Sequence, residues 1–280
     1  MNIQFPVPFT KMSGTGNDFI LIDHRRPFLR PEEMPAFARA VCERRVSVGA
    51  DGLILIEESP TADFCWRFLN ADGSWAEMCG NGARCAARYA HARGMAPARM
   101  RFETLAGPIE AEVLGENVKL RMTPPAGLRL GEKIEVNGRE QTVHSLNTGV
   151  PHAVLFMEEI AQAPVAEWGR ILRFHRHFQP AGTNVNFVGR LDGDALVVRT
   201  YERGVEGETL ACGTGAVAAG IIAGVLGMVR PPVAVTTSGG EGLLIHFVLS
   251  GQEVSEVFLE GPANFIYDGM LHAEALRKKS

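Results

Sequence analysis

The stretch Glu77-Met78-Cys79-Gly80-Asn81-Gly82-Ala83-Arg84-Cys85-Ala86-Ala87-Arg88-Tyr89 has a second copy of its core downstream, at Ala211-Cys212-Gly213-Thr214-Gly215-Ala216-Val217-Ala218-Ala219. Each copy reads cysteine, then Gly-x-Gly, then an Ala-rich run of helical character. Glycines at such a turn let backbone N–H groups come close to a ligand, and the helix start behind them carries partial positive charge. Two helix N-termini, each headed by a thiol, are suited to face one small anionic substrate from opposite sides.

Working outward, each loop is entered from a strand. Phe64 to Leu69 leads through Asn70-Ala71-Asp72-Gly73 into the first, and Ala195 to Tyr201 leads through Glu202-Arg203-Gly204-Val205-Glu206-Gly207-Glu208-Thr209 into the second. The helix behind Cys79 puts Ala83, Ala86, Ala87 and Ala90 on one face and Arg84, Arg88 and His91 on another, with Gly94 as its stop. The helix behind Cys212 is apolar on nearly every side and is predicted to be buried on nearly every side. Further out, Phe19 to Ile22 reads as a buried strand, and Glu32 to Arg44 as a helix with Met34, Phe37, Ala38 and Val41 on its apolar stripe. Leu53 to Glu57, Ala153 to Met157, Leu244 to Val248 and Val257 to Glu260 read as strands, and Val165 to Phe174 as a helix.

Both halves thus run strands, cysteine loop, central helix, strands. Short strands joined by short turns predict an α+β fold of mainly antiparallel sheet wrapped on a helix, not a doubly wound one, with duplication as its origin. Thr123-Pro124-Pro125-Ala126-Gly127 is the strongest internal punctuation. It is read as the link between the halves, which are expected at 1–123 and 124–266, with 267–280 joined to the first.

Composition excludes several classes. The 280 residues are 46% hydrophobic and 21% charged, an ordinary folded balance. A formal charge of −4 and a pI near 6.1 argue against a broad nucleic-acid or lipid-headgroup surface. The N-terminal residues lack the basic and apolar regions of a signal peptide, and no run reaches the length of a membrane span. Five cysteines at scattered spacings do not suggest a secreted disulfide framework, so a cytoplasmic setting is expected.

Cys42, Cys65 and Cys85 lie within predicted helices or strands and are read as small buried hydrophobes. Cys79 and Cys212 share a context at a helix start that lowers a thiol pKa and makes the group a usable base and donor. No Cys-x-x-Cys exists, and the Cys79-to-Cys85 spacing suits zinc poorly, so no metal is expected. Gly80-Asn81-Gly82 lacks the third glycine of a dinucleotide fingerprint, no Gly-x4-Gly-Lys-Ser/Thr occurs, and no distinctive pyridoxal lysine stands out. These motifs imply no phosphate cofactor. A site gripping a polar amino acid needs amides, a carboxylate for an ammonium and an arginine for a carboxylate. Glu202 and Arg203, on the approach to Cys212, are best placed to serve. His152, behind Pro151, is a candidate base if the fold brings it to a thiol.

Eight blocks carry a family resemblance. Ser13-Gly14-Thr15-Gly16-Asn17-Asp18-Phe19, Gly49-Ala50-Asp51-Gly52, Asn70-Ala71-Asp72-Gly73-Ser74 and Glu77 to Cys85 resemble those of the diaminopimelate epimerase family. So do Asn147-Thr148-Gly149-Val150-Pro151-His152, Gly182-Thr183-Asn184-Val185-Asn186-Phe187, Tyr201-Glu202-Arg203-Gly204 and Glu208 to Gly215. The resemblance implies a cofactor-independent isomerase that interconverts LL- and meso-2,6-diaminopimelate, a lysine and cell-wall precursor. It implies two pseudo-symmetric domains, each a β-barrel-like sheet around a central helix, with the substrate in the cleft between them, and it makes a homodimer plausible. Carried over, Cys79 and Cys212 are the acid/base pair. Gly80, Asn81, Gly213 and Thr214 bind the reacting end's carboxylate. Asn17, Asn70, Asn184, Glu202 and Arg203 hold the substrate, and His152 and Glu202 tune the thiols.

This chain has Gly52 and Val150 where some members carry glutamine and asparagine, and Trp75 stands where a polar residue is expected. A racemase of the same fold acting on proline or hydroxyproline, and a thiol redox or metal-binding protein, are the alternatives. The Glu202-Arg203 pair favours a substrate with a second amino-acid end.

Overall fold

A parallel strand pair cannot be closed by a tight turn, so its connection needs a crossover, commonly a helix. Each of the four α-helices among the described residues lies on the connection between two strands that pair in parallel. The computed structural model describes residues 3–276; Met1, Asn2 and the last four residues of the expected 267–280 segment lie outside the described residues. The chain divides into two units, Met1–Leu120 with Gly261–Ser280, and Arg121–Glu260. Sequence alone sets these crossings at 123/124 and 266/267.

In the first unit β1 (Val7–Gly14) and β2 (Asn17–Asp23) form an antiparallel hairpin. Helix α1 (Met34–Cys42) leads to β3 (Gly52–Glu57), parallel to β2, and β4 (Phe64–Asn70) runs back against β3. Helix α2 (Gly80–Ala92) crosses to β5 (Arg99–Thr104), parallel to β4, and β6 (Gly107–Leu114) and β7 (Asn117–Arg121) follow antiparallel.

The second unit repeats this order. After β8 (Ala126–Val136) come β9 (Arg139–Asn147) and β10 (Pro151–Phe156), antiparallel to each other. Helix α3 (Val165–Arg173) leads to β11 (Asn184–Arg190), parallel to β10, and β12 (Ala195–Glu202) runs back against β11. The short β13 (Gly207–Thr209) enters the loop before helix α4 (Gly213–Val225), which crosses to β14 (Val233–Thr237), parallel to β12. Antiparallel β15 (Gly242–Ser250) and β16 (Glu253–Pro262) follow, and β17 (Asn264–Leu271) returns to pair with β1, Val7 opposite Leu271. The same alternation of antiparallel and parallel steps in both units is the pseudo-symmetry implied by the two cysteine loops.

In α1, α2 and α4 packing follows the sequence pattern with one exception. Helix α1 buries Met34, Phe37, Ala38 and Val41 as its stripe predicts, though it is shorter than 32–44. Helix α2 packs its alanine face, with Ala83, Ala86, Ala87 and Ala90 all fully buried, against β1, β2, β3 and β6. Helix α4 is buried from Gly215 to Gly224 and is surrounded by β9 to β12, β14 and β15. Truncating its Ile221 or Ile222 to alanine is of the class that costs about 2–5 kcal/mol. The exception is Arg84. Expected on the polar face of α2, it is fully buried instead.

Candidate active site

In the first unit Cys79 is the N-cap of α2. Its backbone is extended (φ −148°, ψ 117°), and the Gly82 N–H donates to its Sγ at 3.5 Å. The Ala83 N–H donates to the Cys79 carbonyl at 2.8 Å, so the sulfur sits at the positive end of the helix.

An amide chain lies behind this start. Asn81 Nδ2 donates to Asn17 Oδ1 at 2.8 Å and to the Thr15 carbonyl at 3.4 Å, and Asn81 Oδ1 accepts from Arg84 at 2.9 Å. Arg84 also donates to the Thr15 hydroxyl and, at 3.2 Å, to the Pro262 carbonyl. Both Asn81 amide hydrogens are therefore committed within the protein. Its remaining resource for a ligand is the backbone N–H of the first helical turn, a position with no intrahelical acceptor.

Asn17 Nδ2 donates in turn to Asp51 Oδ2 at 3.0 Å. Asp51 accepts from Arg44 at 3.0 Å, and Arg44 also meets Asp18 at 2.5 Å, with Lys11 2.8 Å from the same carboxylate. Burial works to raise the Asp18 carboxyl, but hydrogen bonds from Arg44 and Lys11 overcome it and hold it below the usual carboxylate range. Asn70, exposed at the end of β4, donates to Ser74 Oγ at 2.9 Å, and the next residue's N–H donates to the Asp51 carbonyl at 3.0 Å. Asp51 thus touches both the Asn17 and the Asn70 segments. The Gly-Ala-Asp-Gly block signalled the position without its role.

The Gly52 departure has a physical reason. A Cβ there would lie 2.6 Å from the Phe68 ring and 2.9 Å from the Leu69 carbonyl, so Phe68 occupies the space a side chain would need. Trp75 bridges to Leu69 with an exposed ring, and nothing in the structure explains it.

In the second unit Cys212 is the N-cap of α4, again extended (φ −129°, ψ 101°), and its carbonyl accepts from the Ala216 N–H at 2.9 Å. Contrary to the lowering expected at a helix start, burial, and then the Glu202 carboxylate, push the Cys212 thiol up to about 11, outweighing hydrogen bonds from Thr214 and the Gly215 N–H. Sγ lies 3.6 Å from Thr214 Oγ1. The Thr214 carbonyl accepts from the buried Thr148 hydroxyl at 3.1 Å, a support the sequence reading missed. Burial raises the Glu202 carboxyl above its ordinary range although the Thr209 hydroxyl donates to it at 2.8 Å.

Arg203 follows Glu202. Its backbone N–H donates to Asn184 Oδ1 at 2.9 Å and its Nη1 to the Ala181 carbonyl at 2.9 Å. The buried Asn184 donates to the Pro151 carbonyl at 3.1 Å, tying β11 to the turn before His152. His152 is itself buried and meets Asn186 Nδ2 at 3.1 Å. Burial, and then the Arg203 charge, push its pKa down to about 3, so it is neutral. The Val150 carbonyl accepts from the Thr148 N–H at 3.2 Å, so this position contributes backbone where some members offer an amide. A cavity of about 260 Å³ in this unit is lined in part by Arg129, Asn147, His152, His177, Ala181 and Thr183.

Each unit therefore gathers its own set. Cys79, Gly80, Asn81, Asn17 and Asn70 belong to the first, and Cys212, Gly213, Thr214, His152, Asn184, Glu202 and Arg203 to the second. Either set can offer a thiol at a helix start together with N–H donors for a carboxylate. All five cysteines are free thiols; burial raises Cys42 to about 12, while Cys65, expected to be buried, is only half-buried, though still enough to raise its thiol. Among the described residues no three His, Cys, Asp or Glu side chains gather as a metal site requires, and no helix is long and apolar enough to cross a membrane.

Comparison with known proteins places this geometry in a family. The family model described as diaminopimelate epimerase matches residues 9–127 and 144–266. A diaminopimelate epimerase of Aquifex aeolicus is 48% identical over 280 residues, covering 96% of this chain and 99% of that protein. One from Archaeoglobus fulgidus is 44% identical over 284 residues, covering 97% and 98%. Among solved structures, a phenazine biosynthesis protein of the PhzF family from Bacillus anthracis superposes with a TM-score of 0.72 at 14% identity, covering 96% of this chain and 100% of that one. A hydroxyproline epimerase from Agrobacterium vitis with bound trans-4-hydroxy-L-proline does so with a TM-score of 0.65 at 15% identity, covering 98% and 94%. These two structures share the fold.

Proposed function

The chain belongs to the diaminopimelate epimerase family, and from that premise we propose that Cys79 and Cys212 work as the two bases of its reaction. The enzyme is an isomerase that epimerises diaminopimelate without a cofactor, a step in lysine and cell-wall precursor biosynthesis. Inverting an α-carbon requires removing its proton from one face and delivering another to the opposite face. Two thiols do this without the substrate turning over, provided that one starts deprotonated and the other protonated. The observation that carries the proposal is the repeated N-cap: both cysteines head a buried helix in extended backbone.

The raised Cys212 thiol supports its being the proton donor in one direction of the reaction, the roles exchanging in the other. The N–H groups of Gly80, Asn81, Gly213 and Thr214 hold the reacting carboxylate and stabilise the charge that the carbanion delocalises into it. Asn17, Asn70 and Asn184 orient the substrate, Glu202 takes the ammonium of its far end and Arg203 the far carboxylate. Arg203 commits Nη1 to Ala181, which leaves the rest of its guanidinium fork for that contact. Glu202 and His152 set the proton states of the thiols.

We also read the enzyme as a cytoplasmic homodimer. Its free thiols fit the first reading. The exposed Phe265, Ile266, Tyr267 and Met270 on β17 fit the second.

Incubating the purified protein with LL-diaminopimelate, and separately with L-proline and hydroxyproline, without added cofactor, tests the substrate. Chiral separation is expected to show meso-diaminopimelate and no D-proline. Turnover of proline with diaminopimelate untouched would contradict the reading.

A further inference from the structure

The buried imidazole of His152 has one nitrogen engaged and one left over, and its surroundings decide which of them carries the proton. Nδ1 lies 3.1 Å from Asn186 Nδ2. The same Nδ2 donates to the Ala153 carbonyl at 3.0 Å, and Asn186 Oδ1 accepts from the Thr200 hydroxyl at 2.9 Å. Heavy-atom positions alone leave an amide's orientation open. Here a peptide carbonyl, which can only accept, must face the NH₂ nitrogen, so Ala153 settles the orientation of Asn186. The second Nδ2 hydrogen then points to His152 Nδ1, which must be a bare acceptor. A neutral imidazole holds one N–H, so it sits on Nε2.

Nε2 is buried and has no hydrogen-bond partner among the described residues. An orphaned buried donor costs about 1–3 kcal/mol, and its persistence asks for a function. We infer that Asn186 is a positioning residue that holds His152 as the neutral Nε2–H tautomer, so that His152 offers an uncharged N–H donor and does not act as a base.

Protonating Nδ1 would set its N–H against the Asn186 N–H. Burial and the nearby Arg203 guanidinium oppose an imidazolium in the same direction. Asn186 is also keyed to the second thiol's helix, because a Cβ on Gly215 would collide with its Oδ1. The amide nests against the first turn of α4 only because that position is glycine. A two-thiol epimerase carries a sulfur anion in each resting form, and an N–H without a charge stabilises such an anion without forming an ion pair that must be broken on proton transfer. This use of the donor rests on the two-thiol reading; the tautomer does not.

Long-range ¹H–¹⁵N correlation spectra of full-length protein labelled with ¹⁵N-histidine test the inference, the His152 signals being assigned by their loss in His152→Gln. Nε2 is expected to be protonated and Nδ1 bare, unchanged from about pH 8 down to about pH 5, where an ordinary histidine would have titrated. An Nδ1–H form or an imidazolium at neutral pH would overturn the inference, and this reading of the wild-type chain needs no variant to fold. In Asn186→Asp the carboxylate accepts where the amide donated, so the proton is expected to move to Nδ1. Removal of the donor should lower kcat by about 10²–10³-fold, with a smaller change in KM and a new ionisation in the pH–rate profile. A moved proton with wild-type kcat would overturn the donor role while leaving the epimerase assignment intact. Inactivity of the wild-type chain toward diaminopimelate, with the Nε2–H form observed, would overturn the assignment instead.

Discussion

The two cysteine-headed helices begin alike and are supported differently. Counted from the cysteine, Asn81 corresponds to Thr214 and Arg84 to Val217. In the first unit the helix start is held by a buried arginine and an amide chain that ends in the Asp51, Arg44, Asp18 and Lys11 ion pairs. In the second the corresponding space is apolar, and neutral groups do the holding: Thr148 on the Thr214 carbonyl, and Asn186 among His152, Ala153 and Thr200. Duplicated topology gives both thiols the same place on the helix dipole. What differs is the side chains around them: at the second, burial and then the Glu202 carboxylate raise the thiol.

Removing either thiol is the harshest way to break that pairing. Cys79→Ala and Cys212→Ala should each lower kcat by at least about 10²–10⁴-fold while circular dichroism stays unchanged. A wild-type rate in either variant would remove that half from the chemistry. Arg203→Ala acts on the second half alone and should raise KM for diaminopimelate about ten- to a hundred-fold, as expected for a lost charged hydrogen-bond partner. Unchanged steady-state constants would reduce Arg203 to a turn residue anchored on Ala181.

The contrast between Arg84 and Val217 is tested by stability instead of rate. Arg84→Met leaves Asn81 Oδ1 and the Thr15 hydroxyl without their buried donor and should cost about 1–3 kcal/mol in urea unfolding. A neutral result would mean that the first helix start, like the second, needs only apolar filling.

The smallest effect expected is at Asp18. Its folded pKa lies below the ordinary value of 3.8, so its contribution is present above that value and is lost as pH falls through the folded one. Asp18→Asn should cost up to about 1 kcal/mol at neutral pH and nothing below the folded pKa, which flattens the acid limb of the stability curve. An acid limb as steep as wild type would show that the ionic network in the first unit adds nothing to the fold.

The features legible in sequence were those written locally. The two cysteines announced themselves by a repeated turn, and the apolar stripe of α1 and the all-round burial of α4 followed from helical periodicity. The supports were not legible, because they join distant residues. Arg84 meets Thr15 across 69 positions and Thr148 meets Thr214 across 66, and no periodicity reports such a partner. Arg84 even misled, since a charged residue on a helix is usually read as solvated. Asn186 stood in view beside Asn184, inside a block that carried the family resemblance, with no local signal of a role. Only the carbonyl of Ala153 on one side and His152 on the other give it a direction.

The claim that both half-sites serve one carbon is tested most directly by following hydrogen. A single base that swings between faces often hands the abstracted proton back to the carbon it came from. With two thiols the abstracted proton stays on the first, and the second supplies one taken earlier from solvent. In deuterium oxide, LL-diaminopimelate should therefore give meso product labelled at the inverted carbon from the first turnovers, while the remaining LL substrate stays unlabelled. Chiral separation and mass analysis at low conversion would show this. Meso product carrying mostly its original hydrogen would contradict the two-thiol account, whatever the Cys79 and Cys212 variants do.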